Sequence, residues 1–289
     1  MRTPADPSTD ALPRLSGRTA VVTGASAGIG AAAARRLAAA GADVVPVGRS
    51  PERTAAIARE LGVEPLVADF ARLDDVRRLA DRLLQRCARI DVLANNAGGL
   101  FPRREATADG HEKTLQVNHL APFLLTALLR ERLEATPGAR VITTSSAGNL
   151  AGRIDVDDLD GARRRYSSFR AYGTSKLLNI VFTRELSRRL AGTGVSATAF
   201  HPGPVATDFG RDSRAAGLVY RTPLRRLLLV PAEAGAAPLL SLATRPDPQE
   251  VDGAYLERFR PGRAHRQADD ADLARAVWER SARMVGLPA

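Results

Sequence analysis

The run Arg18-Thr-Ala-Val-Val-Thr23 passes directly into Gly24-Ala-Ser-Ala-Gly28-Ile-Gly30 and then into an alanine-rich stretch ending near Ala40. A β-rich run, a glycine turn and a helix in immediate succession form the opening of a βαβ unit, and so commit the chain to a parallel sheet. In such a turn the glycines let the backbone approach a pyrophosphate closely. The helix start adds amide donors and the positive end of a dipole.

The alternation continues along the chain. Strands are expected at Asp43–Val47, Leu66–Asp69, Ile90–Ala94, Arg140–Thr144, Val195–Phe200 and Ala254–Glu257, seven in all with the first. Between them helices are expected near 52–61, 74–88, 109–135 with a kink at Pro122, from the Tyr172 region to Leu190, 232–243 and 270–284. Strands separated by helices imply a doubly wound, mostly parallel sheet covered on both faces. No composition shift divides it, so residues 17–289 read as one domain. Residues 1–16, rich in Pro, Thr, Ser and Asp, read as a loose extension.

Several function classes fall away on composition. The formal charge of +10 is spread over many helices rather than gathered in one stripe, and aromatic residues make up only 4%, so a nucleic-acid partner is not expected. The stretch 227–243 is interrupted by Pro231, Glu233 and Pro238, so no membrane insertion is expected. A single cysteine, Cys87, excludes an internal disulfide, and no Cys/His cluster has metal-ligand spacing. A reducing, cytoplasmic setting follows.

One pair carries chemistry. Tyr172 and Lys176 are four residues apart, and on a helix they share a face. A neighbouring ammonium favours phenolate and should draw the tyrosine pKa down from about 10 towards a value useful for proton transfer. Lys113 and Lys176 are the chain's only lysines, so a lysine at this spot stands out against a background of arginine.

These motifs taken in order resemble the classical type of short-chain dehydrogenase/reductase over roughly residues 17–260: Thr23 to Gly30, Asn95-Asn-Ala-Gly98, Asn118, Ser146, Tyr172 to Lys176 and Pro202-Gly203. A narrower resemblance is to the retinol-dehydrogenase-like branch, carried by Val117-Asn-His-Leu-Ala-Pro-Phe-Leu-Leu-Thr126 and Ala171-Tyr-Gly-Thr-Ser-Lys-Leu-Leu-Asn-Ile180. The long separation between Ser146 and Tyr172 fits an insertion typical of that branch.

The resemblance implies hydride transfer between a nicotinamide and the carbonyl or alcohol carbon of a small molecule. Tyr172 would move the proton, Lys176 would tune it and bind the nicotinamide ribose, and Ser146 would donate to the substrate oxygen, with Ser145 the fallback. Asn118 would hold a water linking Lys176 to solvent. For the cofactor it implies contacts from Gly24, Ser26, Gly28, Ile29 and Gly30. Asp69 and Phe70 would flank the adenine, Asn96, Ala97 and Gly98 the adenosine ribose, and Pro202, Gly203, Val205 and Thr207 the nicotinamide. Asn95 and Asn96 have an alternative use as braces of the central strand. Gly48, where NAD-preferring relatives carry an acid, is followed by Arg49, so NADP(H) is expected over NAD(H), unless Arg49 is simply solvated.

Pocket walls are expected from Leu100-Phe101, Leu150, 152–169 and 209–229, with Arg211, Arg214, Arg221, Arg225 and Arg226 available to an acidic group. The helices carrying Asn118 and Tyr172 pack in dimers of this family, which suggests a homodimer or homotetramer. Two other functions compete with the reductase: a catalytically silent nucleotide sensor, and a cofactor-retaining epimerase or dehydratase.

Overall fold

The structure is a computed structural model that describes residues 12–203 and 231–288. Among the described residues eight strands form one sheet, in the order β3-β2-β1-β4-β5-β6-β7-β8. They are β1 (Thr19–Thr23), β2 (Asp43–Gly48), β3 (Leu66–Val67), β4 (Val92–Asn95), β5 (Arg140–Thr144), β6 (Ser196–His201), β7 (Tyr255–Glu257) and β8 (Arg260–Pro261). All pairings are parallel except the last. β8 is the eighth strand against seven expected; two exposed residues carry no apolar pattern from which to read it.

Every residue of β1, β5 and β6 is buried, as a sheet covered on both faces requires. Their side chains alternate between two layers. Ala20, Val22 and Ile142 face α1 (Gly28–Ala39) and α8 (Ala232–Thr244). Val21 and Val141 face the other layer, built from α3 (Leu73–Arg86), α5 (Ala121–Leu128), α7 (Ser168–Arg189) and α9 (Ala271–Met284). The remaining helices are α2 (Pro51–Leu61), α4 (Lys113–Leu115) and α6 (Arg130–Glu134). None of the described helices is long and apolar enough to cross a membrane. Part of the expected loose extension is fixed: Leu15 is buried and its N–H donates to the Ala40 carbonyl (2.8 Å).

The chain winds outward from β1 to β3 and returns to β4 on β1's other side. The reversal opens a crevice at the carboxyl ends of β1 and β4, where ligands of such sheets bind. The segment expected as one helix over 109–135 is broken up. Glu112 caps its start, accepting from the Thr114 and Leu115 N–H groups (2.9 and 2.8 Å). A π-turn over Gln116–Leu120 then precedes α5. The kink expected at Pro122 takes this form because proline has no N–H to offer the Asn118 carbonyl four residues back, so the α-ladder cannot close there.

α9 seals the outer face of α5 and α7. Trp278 lies 4.8 Å from Phe123 and 5.9 Å from Phe182, ring centre to ring centre, and Arg189 stacks over it at 4.5 Å. His119, inside the π-turn, bonds Ser281 of α9 through Nε2 (2.9 Å). Burial holds its pKa down near 4, so the ring is neutral at neutral pH. Truncating the half-buried indole with Trp278→Ala should cost about 3 kcal/mol, read as a lower urea midpoint at unchanged slope; an unmoved midpoint would mean that α9 is only loosely docked.

Candidate active site

The glycine turn follows β1 and is pressed against the end of β4. Gly24 and Gly28 have φ of 69° and 55°, which glycine adopts without strain. A Cβ on Gly30 would sit 2.3 Å from the Gly24 carbonyl oxygen and 2.7 Å from Asn96 Nδ2; one on Gly24 would sit 2.9 Å from Ala97 Cα. Thr23 ties the two loops together. Its hydroxyl accepts from the Asn96 and Ala97 N–H groups (3.0 Å each) and donates to the Ala94 carbonyl (3.0 Å), while Asn96 Nδ2 donates to the Thr23 carbonyl (2.9 Å). Asn96 is therefore a brace of the crevice, as is Asn95, which donates to Thr126 Oγ1 (2.9 Å). No side chain caps α1 at Ala27, so the amides of its first turn, through Ile29, are not taken by one.

Gly48 closes the end of β2 tightly. A Cβ there would lie 2.3 Å from Thr54 Oγ1 and 3.0 Å from Ser26 Cβ, so an acidic side chain at this position would displace Thr54. Arg49 is exposed beside it and, among the described residues, has no hydrogen bond or ion pair. It precedes α2, whose start Ser50 caps. Asp69 is half-buried, with Oδ1 accepting from the Ala71 N–H (3.0 Å). Phe70, expected beside the adenine, has its ring packed in the core.

Tyr172, Lys176 and Ser146 converge at the carboxyl ends of β4 and β5. Lys176 is 3% exposed; its ammonium donates to the Thr144 carbonyl (3.0 Å) and lies 5.6 Å from the centre of the Tyr172 ring. Burial lowers its pKa to about 8. Ser145 and Ser146 divide cleanly. Ser145 is buried, its hydroxyl donating to the Lys176 carbonyl (2.7 Å), which fastens β5 to α7. Ser146 is half-buried, and its Oγ accepts from the Gly148 N–H (3.1 Å), which leaves its hydroxyl hydrogen available. A Cβ on Gly148 would touch both Tyr172 Cε1 (3.3 Å) and Ser146 Oγ (3.5 Å), so the two side chains flank one spot.

Asn118 is fully buried. Its amide pairs with the Gly99 backbone in both directions, donating to the carbonyl (2.9 Å) and accepting from the N–H (2.8 Å), and it also donates to Ser175 Oγ (3.0 Å). A Cβ on Gly98 would come within 3.1 Å of Asn118 Oδ1 and 3.4 Å of Lys176 Nζ. Pro202 and Gly203 are buried at the end of β6, Gly203 with φ 90°. Val205, Thr207, the 209–229 wall and its five arginines lie outside the described residues. Among the described residues no cluster of acids, histidines or cysteines is placed to hold a metal.

Two contributors were not legible beforehand. Asn149 is completely buried; it donates to the Ser146 carbonyl (2.9 Å) and to the Tyr255 hydroxyl (3.4 Å), and accepts from the His265 N–H (2.9 Å). Tyr166 pins the insertion to the neighbouring wall by donating to the Phe101 carbonyl (2.9 Å), and Arg104 donates to the Asp160 carbonyl (2.9 Å). Leu150 and Phe169 remain exposed, at 44% and 61%.

The buried ammonium has a thermodynamic signature. Lys176 titrates near 8 in the fold, whereas a lysine in an unfolded chain titrates near 10.4. Between those values the unfolded chain binds the extra proton, so stability rises with pH across that window, by up to about 3 kcal/mol. Lys176→Met removes the titrating group and should flatten this rise in urea titrations of the cofactor-free protein. A Met variant with the wild-type slope would show that the ammonium is solvated.

Residues 18–217 match the family model described as short chain dehydrogenase. A Streptomyces sp. (strain C5) protein assigned as a daunorubicin C-13 ketoreductase is 48% identical over 278 residues, which cover 94% of each chain. Retinol dehydrogenase 13 of Homo sapiens is 38% identical over 286 residues, covering 95% of this chain and 86% of that one. Among solved structures, a short chain dehydrogenase from Burkholderia cenocepacia J2315 in complex with NADP is 29% identical, with a TM-score of 0.66 over 89% of this chain and 100% of that one. The chain belongs to the short-chain dehydrogenase family, in its retinol-dehydrogenase-like branch.

Proposed function

We propose that the chain is an NADP(H)-dependent carbonyl reductase or alcohol dehydrogenase acting on a small, largely apolar molecule. The observation that carries this reading is the convergence of Tyr172, Ser146 and the buried Lys176 on one spot beside the glycine-lined crevice. A relative assigned as a ketoreductase and one named as a retinol dehydrogenase support the same pair of directions.

The residues present fit a dinucleotide. A Cβ on Gly24, Gly30 or Gly48 would collide with the neighbouring loop or with Thr54, so only bare backbone lines this edge of the crevice. Gly24, Ser26, Gly28, Ile29 and Gly30 would hold the pyrophosphate, Asp69 the adenine, Asn96, Ala97 and Gly98 the adenosine ribose. Pro202 and Gly203 would cover the nicotinamide, and Lys176 would bind its ribose. Arg49, exposed at the end of β2 and unpaired among the described residues, would hold the 2′-phosphate that distinguishes NADP. When bound, the nicotinamide supplies or accepts the hydride.

Tyr172 donates its phenolic proton to the substrate oxygen in reduction and recovers it in oxidation. The Lys176 ammonium, 5.6 Å from the ring, stabilises the phenolate that this leaves. Ser146, beside the ring, donates to the same substrate oxygen as charge grows on it. The relay assigned to Asn118 passes to its backbone. Both amide hydrogens of its side chain are taken by Gly99 and Ser175, whereas Pro122 leaves the Asn118 carbonyl without its helical donor. That oxygen can accept from a water joining Lys176 to solvent.

A homodimer or homotetramer built on the helices carrying Asn118 and Tyr172 would need the face that α9 occupies. Light scattering behind a sizing column should give the mass of two or four chains if the chain assembles through another face; the mass of one chain would reject the homodimer and homotetramer. Tyr172→Phe should lower turnover about 10³-fold while fluorescence titration shows NADPH still bound; unchanged turnover would reject the mechanism. Arg49→Ala should weaken NADPH about 10-fold or more and spare NADH, and a wild type that binds NADH more tightly would reject the cofactor assignment.

A further inference from the structure

The hairpin at the far end of the sheet breaks a local rule. β7 and β8 pair Leu256 with Pro261 and Glu257 with Arg260, which leaves Arg258 and Phe259 as a two-residue turn. Arg258 has φ 56° and is the one non-glycine residue with positive φ among the described residues. Glycine, asparagine and aspartate take such turn positions readily, whereas a long side chain there sets its Cβ against its own carbonyl. Residues that persist in such conformations cluster at functional sites.

The side chain turns back onto the active-site edge. A Cβ built on Gly203 would lie 3.3 Å from Arg258 Nε and 3.9 Å from Cζ, so the guanidinium lies over the Pro202-Gly203 turn. The Arg258 N–H donates to the His201 carbonyl (2.9 Å), which fixes the turn to the last residue of β6. Among the described residues the guanidinium has no hydrogen bond or ion pair, and the adjacent Glu257, which stands opposite Arg260 in the ladder, does not pair with it.

Its place in the sheet says what it can meet. A dinucleotide in the crevice between β1 and β4 reaches Pro202 and Gly203 with its nicotinamide end. β7 lies beyond β6, on the side away from that crevice. The base of the hairpin is close enough to the proton-transfer residue for the buried Tyr255 to feel the charge of Tyr172. Arg258 therefore reaches the Pro202-Gly203 turn from the side away from the dinucleotide crevice.

The geometry points to Arg258 as a specificity-determining residue that holds an anionic group, a carboxylate or a phosphate, carried by the carbonyl substrate at a distance from the reacting carbon. This rests on the reductase reading above. The planar fork matches a carboxylate or phosphate in two parallel hydrogen bonds, which a lysine at the same place could not supply.

The test uses matched pairs of ketones that differ only in a free carboxylate against its methyl ester, over several chain lengths between ketone and carboxylate. NADPH oxidation by the full chain is followed for wild type, Arg258→Lys and Arg258→Gly. Glycine relaxes the turn, so loss of folding cannot account for its effect. Wild type should prefer the carboxylate at one chain length, and the carboxylate-to-ester ratio of kcat/KM should fall about 10-fold in Arg258→Gly, with Lys in between. A wild-type ratio near one at every length, or a ratio the variants leave unmoved, overturns the assignment. So does an Arg258→Gly variant whose main loss is NADPH affinity, since the guanidinium would then serve the cofactor. Turnover of neither ketone by wild type, with NADPH bound, fails the reductase reading itself and the inference with it; that result is told apart by the absence of any rate to compare.

Discussion

The ammonium of Lys176 is the constraint around which the centre of this molecule is arranged. A cation removed from water is tolerated only when fixed dipoles replace its hydration. The fold supplies the Thr144 carbonyl directly, and it fixes the lysine's own backbone through the Ser145 hydroxyl. Gly98 carries no side chain because one would press against the ammonium and Asn118 at once. The same desolvation that makes the charge costly makes it responsive, since a lysine near 8 can exchange protons around neutrality where an ordinary one cannot. Cost and usefulness arise from the same burial.

That charge is held from one side by a helix whose geometry depends on distant parts of the chain. Asn118 is clamped to the Gly99 backbone on one flank, while on the other its neighbour His119 reaches Ser281 in the C-terminal helix. The aromatic packing of Trp278 against Phe123 and Phe182 presses that helix home. Ser146 has a comparable tether, since Asn149 joins its carbonyl to Tyr255 and to the backbone at His265. Residues after 250 thus support both the Asn118 and the Ser146 sides of the candidate site.

The parts of the site legible in the sequence were those whose chemistry is local. The turn from Thr23 to Gly30 announces itself because positive φ and close backbone approach select glycine at fixed spacing. Tyr172 and Lys176 were readable because four residues is one turn of helix. What depended on tertiary packing was not. Nothing in two adjacent serines says which hydroxyl will be consumed by the Lys176 carbonyl. Phe70 looked available to an adenine because a residue after a strand end can face either way, and the core claimed it. β8 was missed because two residues of a hairpin rim hold no period, and Asn149 because a polar residue in a polar insertion gives no sign that it will be buried.

The π-turn at Gln116–Leu120 can be counted as an α-helix carrying one residue too many. Each residue of an α-helix advances the side chains by about 100°, so the surplus residue is what aims Asn118 at Gly99 while α5 keeps its own apolar face on the sheet. Deleting a single residue there would let the helix heal into regular form, and healing would swing everything upstream of the turn through about a quarter of a circle. The segment is thus intolerant of length change in a way its composition does not advertise. Here a defect in a hydrogen-bond ladder works as a coordinate, and the proline at 122 keeps it from being repaired.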